Sequence, residues 1–286
     1  MTAISFEVFP PRSMDASFQL WEAVHNLAPL GPRFFSVTYG AGGTTRDLTQ
    51  EAGKTLCRQS RLPVAAHLTC TGASRAEVMD MAKAYTESGI RDIVALRGDP
   101  VGGETAFTPH PDGFENSCEL IEALAKTGDF DIRVGAYPES HPDAASDSQN
   151  LDWLKAKLDA GACEGLTQFF FEAETYLRFR DACVATGIDA PITPGILPVT
   201  NWSRTKSFAK RCGASVSAKL AKGFENAERD GHTELFALAH ATELCDELIT
   251  EGVDALHFYT LNRAELTRKV CRALDLGSEA SIRNVA

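Results

Sequence analysis

Strand-like and helix-like segments alternate along almost the whole chain, and this alternation constrains the fold more than any other feature. Each strand-like segment is short and apolar, and apolar residues at helical spacing follow it, as with Phe18, Trp21, Val24 and Leu27. The eight strand-like segments are residues 4–9, 34–39, 64–70, 92–98, 133–138, 165–172, 192–197 and 255–261. Strands joined by helices lie parallel, and eight such units close on themselves. The sequence therefore predicts an α/β protein, a (β/α)8 TIM barrel that forms a single domain over residues 1–286.

A doubly wound parallel sheet is the alternative architecture. It would carry about five to seven strands and a dinucleotide-binding fingerprint. The sequence has no Gly-x-Gly-x-x-Gly and no Walker A motif, which favours the barrel.

Charge and composition argue against several classes of protein. The net charge of −11 disfavours a nucleic-acid or anionic-membrane binder. No apolar run approaches the roughly 18 residues that span a membrane, and a strand begins too early for a signal peptide. The eight cysteines form no Cys-x-x-Cys pair, which is typical of reduced thiols. We therefore expect a cytoplasmic protein, with Cys70 at a strand end left as an alternative nucleophile.

Polar side chains stand where the strands end. Glu7 is the clearest case, because a carboxylate within an apolar strand is costly unless it is paired or used. Barrel enzymes carry their chemistry at this end of the strands, so these residues are expected to ring one mouth. They are Glu7, Thr38, Tyr39, His67, Arg97, Asp99, Tyr137, Glu139, His141, Gln168, Tyr259, Asn262 and Arg263.

The chemistry of this ring favours an organic cofactor over a metal. No closely spaced histidine pair is present, and Arg97 stands two residues from Asp99, which disfavours a cation there. Arg97, His67, Lys157 and the Gly-rich turn 40–45 suit a phosphate-bearing cofactor. The aromatic residues Tyr39, Tyr137 and Phe170 could face a flat ring, although composition alone does not say which.

Longer motifs resemble the bacterial type of the methylenetetrahydrofolate reductase family. They cover all eight strands in order: Ser-Phe-Glu-Val-Phe-Pro-Pro-Arg (5–12), Ser-Val-Thr-Tyr-Gly-Ala (36–41), Ala-His-Leu-Thr-Cys (66–70), Ala-Leu-Arg-Gly-Asp (95–99), Ala-Tyr-Pro-Glu-Ser-His-Pro (136–142), Thr-Gln-Phe-Phe-Phe (167–171), Pro-Gly-Ile-Leu-Pro-Val (194–199) and His-Phe-Tyr-Thr-Leu-Asn-Arg (257–263).

This resemblance implies a flavin-dependent oxidoreductase. Such a barrel binds FAD without a Rossmann domain and reduces 5,10-methylenetetrahydrofolate to 5-methyltetrahydrofolate with NADH or NADPH by a ping-pong mechanism. Glu7 matches the general acid that protonates folate N10, and burial in an apolar strand suits that role because it disfavours the charged form of a carboxyl group. Asp99 matches an aspartate between flavin and pterin.

The resemblance also implies the binding residues. Matches to substrate-binding positions are Gln168, Phe208, Tyr259 and Arg263. Matches to FAD-binding positions are Thr38, Tyr39, Ala41, His67, Arg97, Gly98, Asp99, Tyr137, His141, Ala144, Asn150 and Lys157. Asn150 and Ala156 stand where relatives commonly carry aspartate and arginine.

Further expectations concern partners. NADH is favoured over NADPH because no residue is evident for the extra phosphate. The expected partners are small-molecule substrates. Relatives suggest a homo-oligomer, and no C-terminal regulatory domain is expected. Two enzyme alternatives stay open, a non-redox folate-binding barrel of the methyltransferase kind and a proline-dehydrogenase-like flavin barrel. A third alternative, which is not an enzyme, is a non-catalytic binding protein.

Overall fold

Nine parallel strands form one sheet in this computed structural model, which describes residues 2–39, 46–100 and 107–277. The strands are β1 (Ala3–Val8), β2 (Phe35–Val37), β3 (Val64–Thr69), β4 (Asp92–Leu96), β5 (Asp131–Ala136), β6 (Glu164–Thr167), β7 (Ile192–Thr193), β8 (Gly195–Ile196) and β9 (Ala255–Tyr259). Their order in the sheet is β7-β6-β5-β4-β3-β2-β1-β9-β8.

The sheet closes through a single interrupted strand. The predicted segment 192–197 is divided at Pro194, which has no N–H to donate to a neighbouring strand. Its first half, β7, pairs with β6, and its second half, β8, pairs with β9. Because one strand thus joins both ends of the sheet, the predicted (β/α)8 barrel is confirmed.

Ten α-helices are described around this barrel. They are α1 (Met14–Leu27), α2 (Arg46–Ser60), α3 (Arg75–Glu87), α4 (Ser117–Ala125), α5 (Asp147–Asp159), α6 (Ala173–Ala185), α7 (Trp202–Cys212), α8 (Ala218–Asp230), α9 (Thr233–Thr250) and α10 (Ala264–Ala273). Short polar side chains cap several of them: Ser13 accepts a hydrogen bond from the N–H of Ala16, and Asn201 accepts one from the N–H of Arg204. Among the described residues, no helix is long and apolar enough to cross a membrane.

Two large apolar clusters organise the packing of the helices, and a small third one (Phe34, Ala65, Val94 and Leu166) lies on the strands. The larger lies between the barrel and the helices and includes Phe6, Phe35 and Phe258. The smaller includes Phe169, Phe171 and buried residues of α7 and α8, so these two helices form a cap packed on its own apolar layer. We call α7, α8 and their connection the cap.

The predicted sixth strand is too long. It ends at Thr167, and the following aromatic residues leave the sheet for different environments. Phe169 and Phe171 enter the smaller cluster, whereas Phe170 is 1% exposed and stacks on Tyr176 in the larger one. The expectation that Phe170 could face a cofactor ring is therefore wrong, because its side chain is buried against α6.

Charged residues fill the barrel interior near the amino ends of the strands. Glu164 accepts hydrogen bonds from Arg33 Nη1 at 3.1 Å, Arg33 Nη2 at 2.9 Å, Arg133 Nε at 2.8 Å and Thr193 Oγ1 at 2.6 Å. Arg133 also pairs with Asp92, and its guanidinium lies 4.2 Å from the ring centroid of Phe34. We call these five residues, Arg33, Asp92, Arg133, Glu164 and Thr193, the basal network. It lies at the opposite end of the barrel from the mouth.

Candidate active site

Glu7 lies inside the mouth of the barrel between two histidines. Strand register places it beside Ser36 of β2 and Tyr259 of β9, and its side chain is 14% exposed. Its Oε2 lies 3.5 Å from Nε2 of His67 and 4.0 Å from Nε2 of His257. The predicted Glu7 and His67 are thus brought together, and one carboxylate oxygen faces both imidazoles.

His257 is a site residue that the sequence reasoning missed. It is fully buried, and its Nδ1 lies 2.8 Å from Oγ of Ser5. Within the described part of the chain, Nε2 of His257 has no hydrogen-bond partner, and the same holds for Nε2 of His67. A signal was available, because His257 precedes Tyr259 by two residues and strand residues two apart share a face.

The protonation state of His67 follows from its surroundings. Burial lowers the pKa of His67 below its ordinary value of 6.5, although the nearby Glu7 carboxylate acts in the opposite direction. The imidazole is therefore neutral at pH 7.

Tyr259 continues the site away from Glu7. Its hydroxyl donates to the backbone oxygen of Thr167 at 2.6 Å. Burial, together with the negative charge of Glu7, raises the pKa of Tyr259 well above 10. The phenol therefore stays protonated and acts as a fixed hydrogen-bond donor. The hydroxyl of Thr260 donates to the backbone oxygen of Glu7 at 2.6 Å, which fixes the main chain at Glu7.

An aromatic group connects Tyr259 to the cap. The ring of Phe169 lies 6.4 Å from that of Tyr259 and 5.2 Å from that of Phe208, which α7 carries. Gln168 precedes Phe169, and its Oε1 accepts a hydrogen bond from the Phe169 N–H at 3.0 Å. The predicted substrate residues Gln168, Phe208 and Tyr259 therefore form one side of the mouth.

A cavity of about 560 Å³ opens beside this group. It lies at the ends of β3, β4 and β5, against the first turn of α4 and one face of α5. Eight predicted cofactor residues line it: Tyr39, Arg97, Gly98, Asp99, Tyr137, His141, Asn150 and Lys157. Residues that the sequence reasoning did not assign also line it, including Thr69, Thr71, Asn116, Cys118 and Trp153.

Two cations of different character face this cavity. Burial lowers the pKa of Lys157 from 10.5 to about 8, and its Nζ donates to the backbone oxygen of Gly135 at 2.7 Å. Arg97 lies 2.9 Å from Asp143, and its guanidinium carbon lies 5.1 Å from the ring centroid of Phe107. The partner of Arg97 is half-exposed, so a stronger anion in the cavity can share or replace it.

Asn150 supports the wall of the cavity. Its Nδ2 donates to the backbone oxygen of Tyr137 at 2.8 Å, and its Oδ1 accepts from the N–H of His141 at 3.3 Å. An aspartate could make only the second of these bonds. Burial raises the pKa of Tyr137 to about 12 and lowers that of His141, so both rings are neutral at pH 7.

Gly98 brings the main chain close to the cavity. Its φ is +89°, and a Cβ there would meet the Thr71 hydroxyl and would lie 3.0 Å from Cβ of Thr69. A glycine suits this position for both conformational and steric reasons. The glycine therefore lets the main chain pass close to Thr69 and Thr71, which line the cavity with it.

Other predicted residues lie outside this cavity. Thr38 accepts a hydrogen bond from Thr49 at its backbone oxygen, Ala144 ends a turn that begins at His141, and Ala156 is exposed on α5. Arg263 lines a second cavity of about 610 Å³, between α1, α9 and the start of α10. Ala41 lies outside the described residues.

Metal and thiol chemistry find no support in the described ranges. They contain no group of three His, Cys, Asp or Glu that could hold a metal ion. Cys70 is buried, and burial raises its pKa to about 12. Its thiol donates to the backbone oxygens of Leu96 and Asn116, which is a structural role.

Comparison with known proteins gives a consistent result. A family model described as Methylenetetrahydrofolate reductase matches residues 1–275. The 5,10-methylenetetrahydrofolate reductase of Pectobacterium carotovorum subsp. carotovorum is 46% identical over 274 residues, which cover 95% of this chain and 89% of the relative. The enzyme of the same name from Escherichia coli (strain K12) is 43% identical over 95% of this chain and 90% of its own length.

More distant proteins are also similar to this chain in sequence or in fold. Methylenetetrahydrofolate reductase (NADH) 1 of Arabidopsis thaliana is 34% identical over 98% of this chain and 50% of its own length. A solved structure from Clostridium thermocellum, described as binding two copies of 5-methyl-5,6,7,8-tetrahydrofolic acid, has a TM-score of 0.62 at 16% identity. The match covers 96% of this chain and 94% of the chain in that structure. At that identity the likeness concerns the fold alone.

Proposed function

Since the chain belongs to the methylenetetrahydrofolate reductase family, we propose that it reduces 5,10-methylenetetrahydrofolate with NADH through bound FAD, with Glu7 as the general acid. The family supports the overall reduction to 5-methyltetrahydrofolate. The observation that carries the finer proposal is Glu7, a carboxyl group 14% exposed at the mouth, at the same end of the barrel as a cavity with two cations.

The cavity fits a flavin dinucleotide in its chemistry. Lys157 and Arg97 offer positive charge for a diphosphate, and Tyr39, Tyr137 and Trp153 offer aromatic surface. Gly98 lets the main chain lie against Thr71 in the wall of the cavity, since a larger residue would collide with the Thr71 hydroxyl. These residues would hold FAD, which would supply the hydride-transfer chemistry between the nicotinamide and the folate.

The chain's own residues do the proton chemistry. Glu7 gives its proton to folate N10, which opens the five-membered ring and leaves an iminium cation as the hydride acceptor. Nε2 of His67 and Nε2 of His257 face Oε2 of Glu7 at 3.5 and 4.0 Å without a hydrogen bond to it, so the carboxyl group is left to act on the substrate. The carboxylate of Asp99 stabilises the cation and binds the guanidine-like edge of the pterin.

The neighbouring aromatic residues bind and orient the ring systems. Phe208 presents its ring beside Phe169, and Gln168 lies between this group and the strand ends. Tyr259, held protonated by burial, donates its hydrogen bond to Thr167 and therefore does not compete with Glu7 as an acid.

A visible spectrum and two half-reactions test the proposal. Purified protein should show flavin absorption, which NADH bleaches and methylenetetrahydrofolate restores. Protein without flavin would favour the non-redox folate-binding alternative. In Glu7→Gln, we expect bleaching by NADH to persist and reoxidation by the folate to fall by about 10²-fold or more, because a general acid contributes about that much.

Two further variants make this test specific. Glu87→Gln alters an exposed carboxylate paired with Lys83 at 4.0 Å on α3, and both half-reactions should match wild type. Asp99→Asn should slow the folate half-reaction more than flavin reduction. Survival of both half-reactions in Glu7→Gln would refute the acid assignment, and equal losses in Asp99→Asn would indicate a cofactor-holding role.

A further inference from the structure

The segment that contains α7 and the first turns of α8 carries an unusual distribution of charge. Residues 190–224 contain six Lys or Arg and no Asp or Glu, although the whole chain has 39 acidic and 28 basic residues. The six are Arg204, Lys206, Lys210, Arg211, Lys219 and Lys222. In a chain of net charge −11, this is a local positive surface on an acidic protein.

These six side chains are exposed, and none belongs to the ion pairs found among the described residues. Elsewhere most exposed cations have carboxylate neighbours, such as Arg229 with Asp230 and Lys269 with Glu234. No ion pair among the described residues neutralises these six charges. The rest of α8 adds Glu225, Glu228 and Asp230, so the positive surface that is available to an anion is confined to α7 and the first turns of α8.

Two of the six stand beside the site. Arg204 and Arg211 lie four residues before and three residues after Phe208, so the three side chains share one face of α7. The guanidinium carbon of Arg211 lies 5.6 Å from the ring centroid of Phe208. We call Arg204 and Arg211 the rim arginines.

The end of α7 is close to the reacting region. The ring of Phe208 on α7 lies 5.2 Å from that of Phe169, which lies 6.4 Å from that of Tyr259, so this part of the helix is at the mouth. Glu139 fixes this end of the helix, because its two carboxylate oxygens accept the N–H of Ser215 at 2.9 and 3.0 Å. The rim arginines are therefore held at the mouth.

We propose that the rim arginines bind the anionic appendage of a ligand whose ring lies against Phe208. The inference rests on the proposed function, and it concerns the part of the ligand that does not react. The shared chemistry is a flexible group of carboxylates or phosphates. Two sources carry it, the glutamyl tail of the folate and the diphosphate of the nicotinamide dinucleotide. The four lysines of the cap extend the favourable potential outward.

Charge-removing variants test the rim. Arg204→Gln, Arg211→Gln and the double variant are compared with Arg58→Gln, an exposed arginine in the last turn of α2. The KM for NADH and for methylenetetrahydrofolate with one or three glutamyl residues is measured at low and high salt. Calorimetry with 5-methyltetrahydrofolate, again with one or three glutamyl residues, measures binding without turnover.

Each rim variant should raise one KM about twofold to fivefold, and the double variant about tenfold, because exposed charge pairs are individually weak. The change should shrink at high salt, where wild type and variants converge. A larger effect on the triglutamyl folate, seen also by calorimetry, identifies the folate tail as the ligand. An effect confined to NADH identifies the diphosphate.

The inference fails if both KM values and the calorimetric constants of the double variant equal those of Arg58→Gln. That result, with an active wild type, would leave the proposed function intact. It would mean that the cap charges contact only solvent and bind no ligand. Wild-type protein that neither turns over nor binds the folates would overturn the proposed function and the rim together.

Discussion

Glu164 offers the sharpest test of what holds the barrel together. Its carboxylate is 4% exposed and accepts four hydrogen bonds from Arg33, Arg133 and Thr193. Glu164→Gln keeps the shape of the side chain but removes the charge. The amide nitrogen would then face arginine donors, and the buried Arg133 would keep only Asp92 as a partner.

The size of the effect follows from burial. Breaking a buried ion pair from one side costs about 3–5 kcal/mol, because the partner charge stays buried without compensation. Arg133 is 9% exposed. Arg33, however, is 37% exposed, and water screens its attraction to Glu164, so the cost should lie at the lower end of this range. We expect a loss of about 3 kcal/mol in the free energy of unfolding, or roughly 6 °C in Tm for a chain this size.

The stability difference between wild type and Glu164→Gln should depend on pH in a definite direction. Burial alone would raise the pKa of Glu164, but hydrogen bonds from Arg33 and Thr193 and the charge of Arg133 outweigh it and hold the pKa below 4.5. A carboxylate with a lowered pKa stabilises the fold above its unfolded value and loses this effect as the pH falls through its folded value. The gap between wild type and Glu164→Gln should therefore be full at pH 7 and should close below pH 4.5.

Urea unfolding across this pH range measures the gap. The control is Glu174→Gln, which removes an exposed pair with Arg178 at 3.7 Å and should change stability by less than about 0.5 kcal/mol. Turnover per folded molecule should be unchanged, since the basal network lies at the far end of the barrel from Glu7. A loss below about 1 kcal/mol in Glu164→Gln, well under the usual cost of breaking a buried pair, would refute the reasoning.

Two other predictions concern the mouth. Glu139→Gln weakens the bond to the Ser215 N–H by about 1 kcal/mol and should raise the KM of the ligand on Phe208 with little change in Tm. Unchanged KM values would show that α7 is held by packing alone. The pKa of Lys157 is about 8 in the folded protein and 10.5 in the unfolded chain, so the unfolded chain binds the proton more tightly. Protein freed of cofactor should therefore gain stability as the pH rises from 8 to 10.5. Lys157→Met should lose that rise in urea unfolding, and a persistent rise would assign it to another group.

Much of the fold was predictable because its signals are local. Strand-like runs and helical spacing are written into neighbouring residues, and the barrel follows from their alternation. The residues at the strand ends were found for the same reason, since parallel strands in a barrel end at one face. Eight of the twelve predicted cofactor residues line the cavity of about 560 Å³.

Other features required the assembled barrel. His257 reaches Glu7 only because β9 lies beside β1, across some 250 residues of sequence, in a register that sets Ser5 beside His257. Phe170 looked like its neighbours in sequence, yet the chain leaves the sheet at Thr167 and turns this ring into the core. The basal network joins charges from four separate strands and loops, none of which stands out alone.

The sequence by itself determined the order of strands and helices, the acid in the first strand and the polar ends of the others. Periodicity and residue type act over a few positions, so they can be read without knowing the fold. Only the tertiary structure decided which charges meet: Glu7 with two histidines, Glu164 with two arginines, and the rim arginines with Phe208. Such pairings depend on distances between residues far apart in the chain, and closure of the barrel sets those distances.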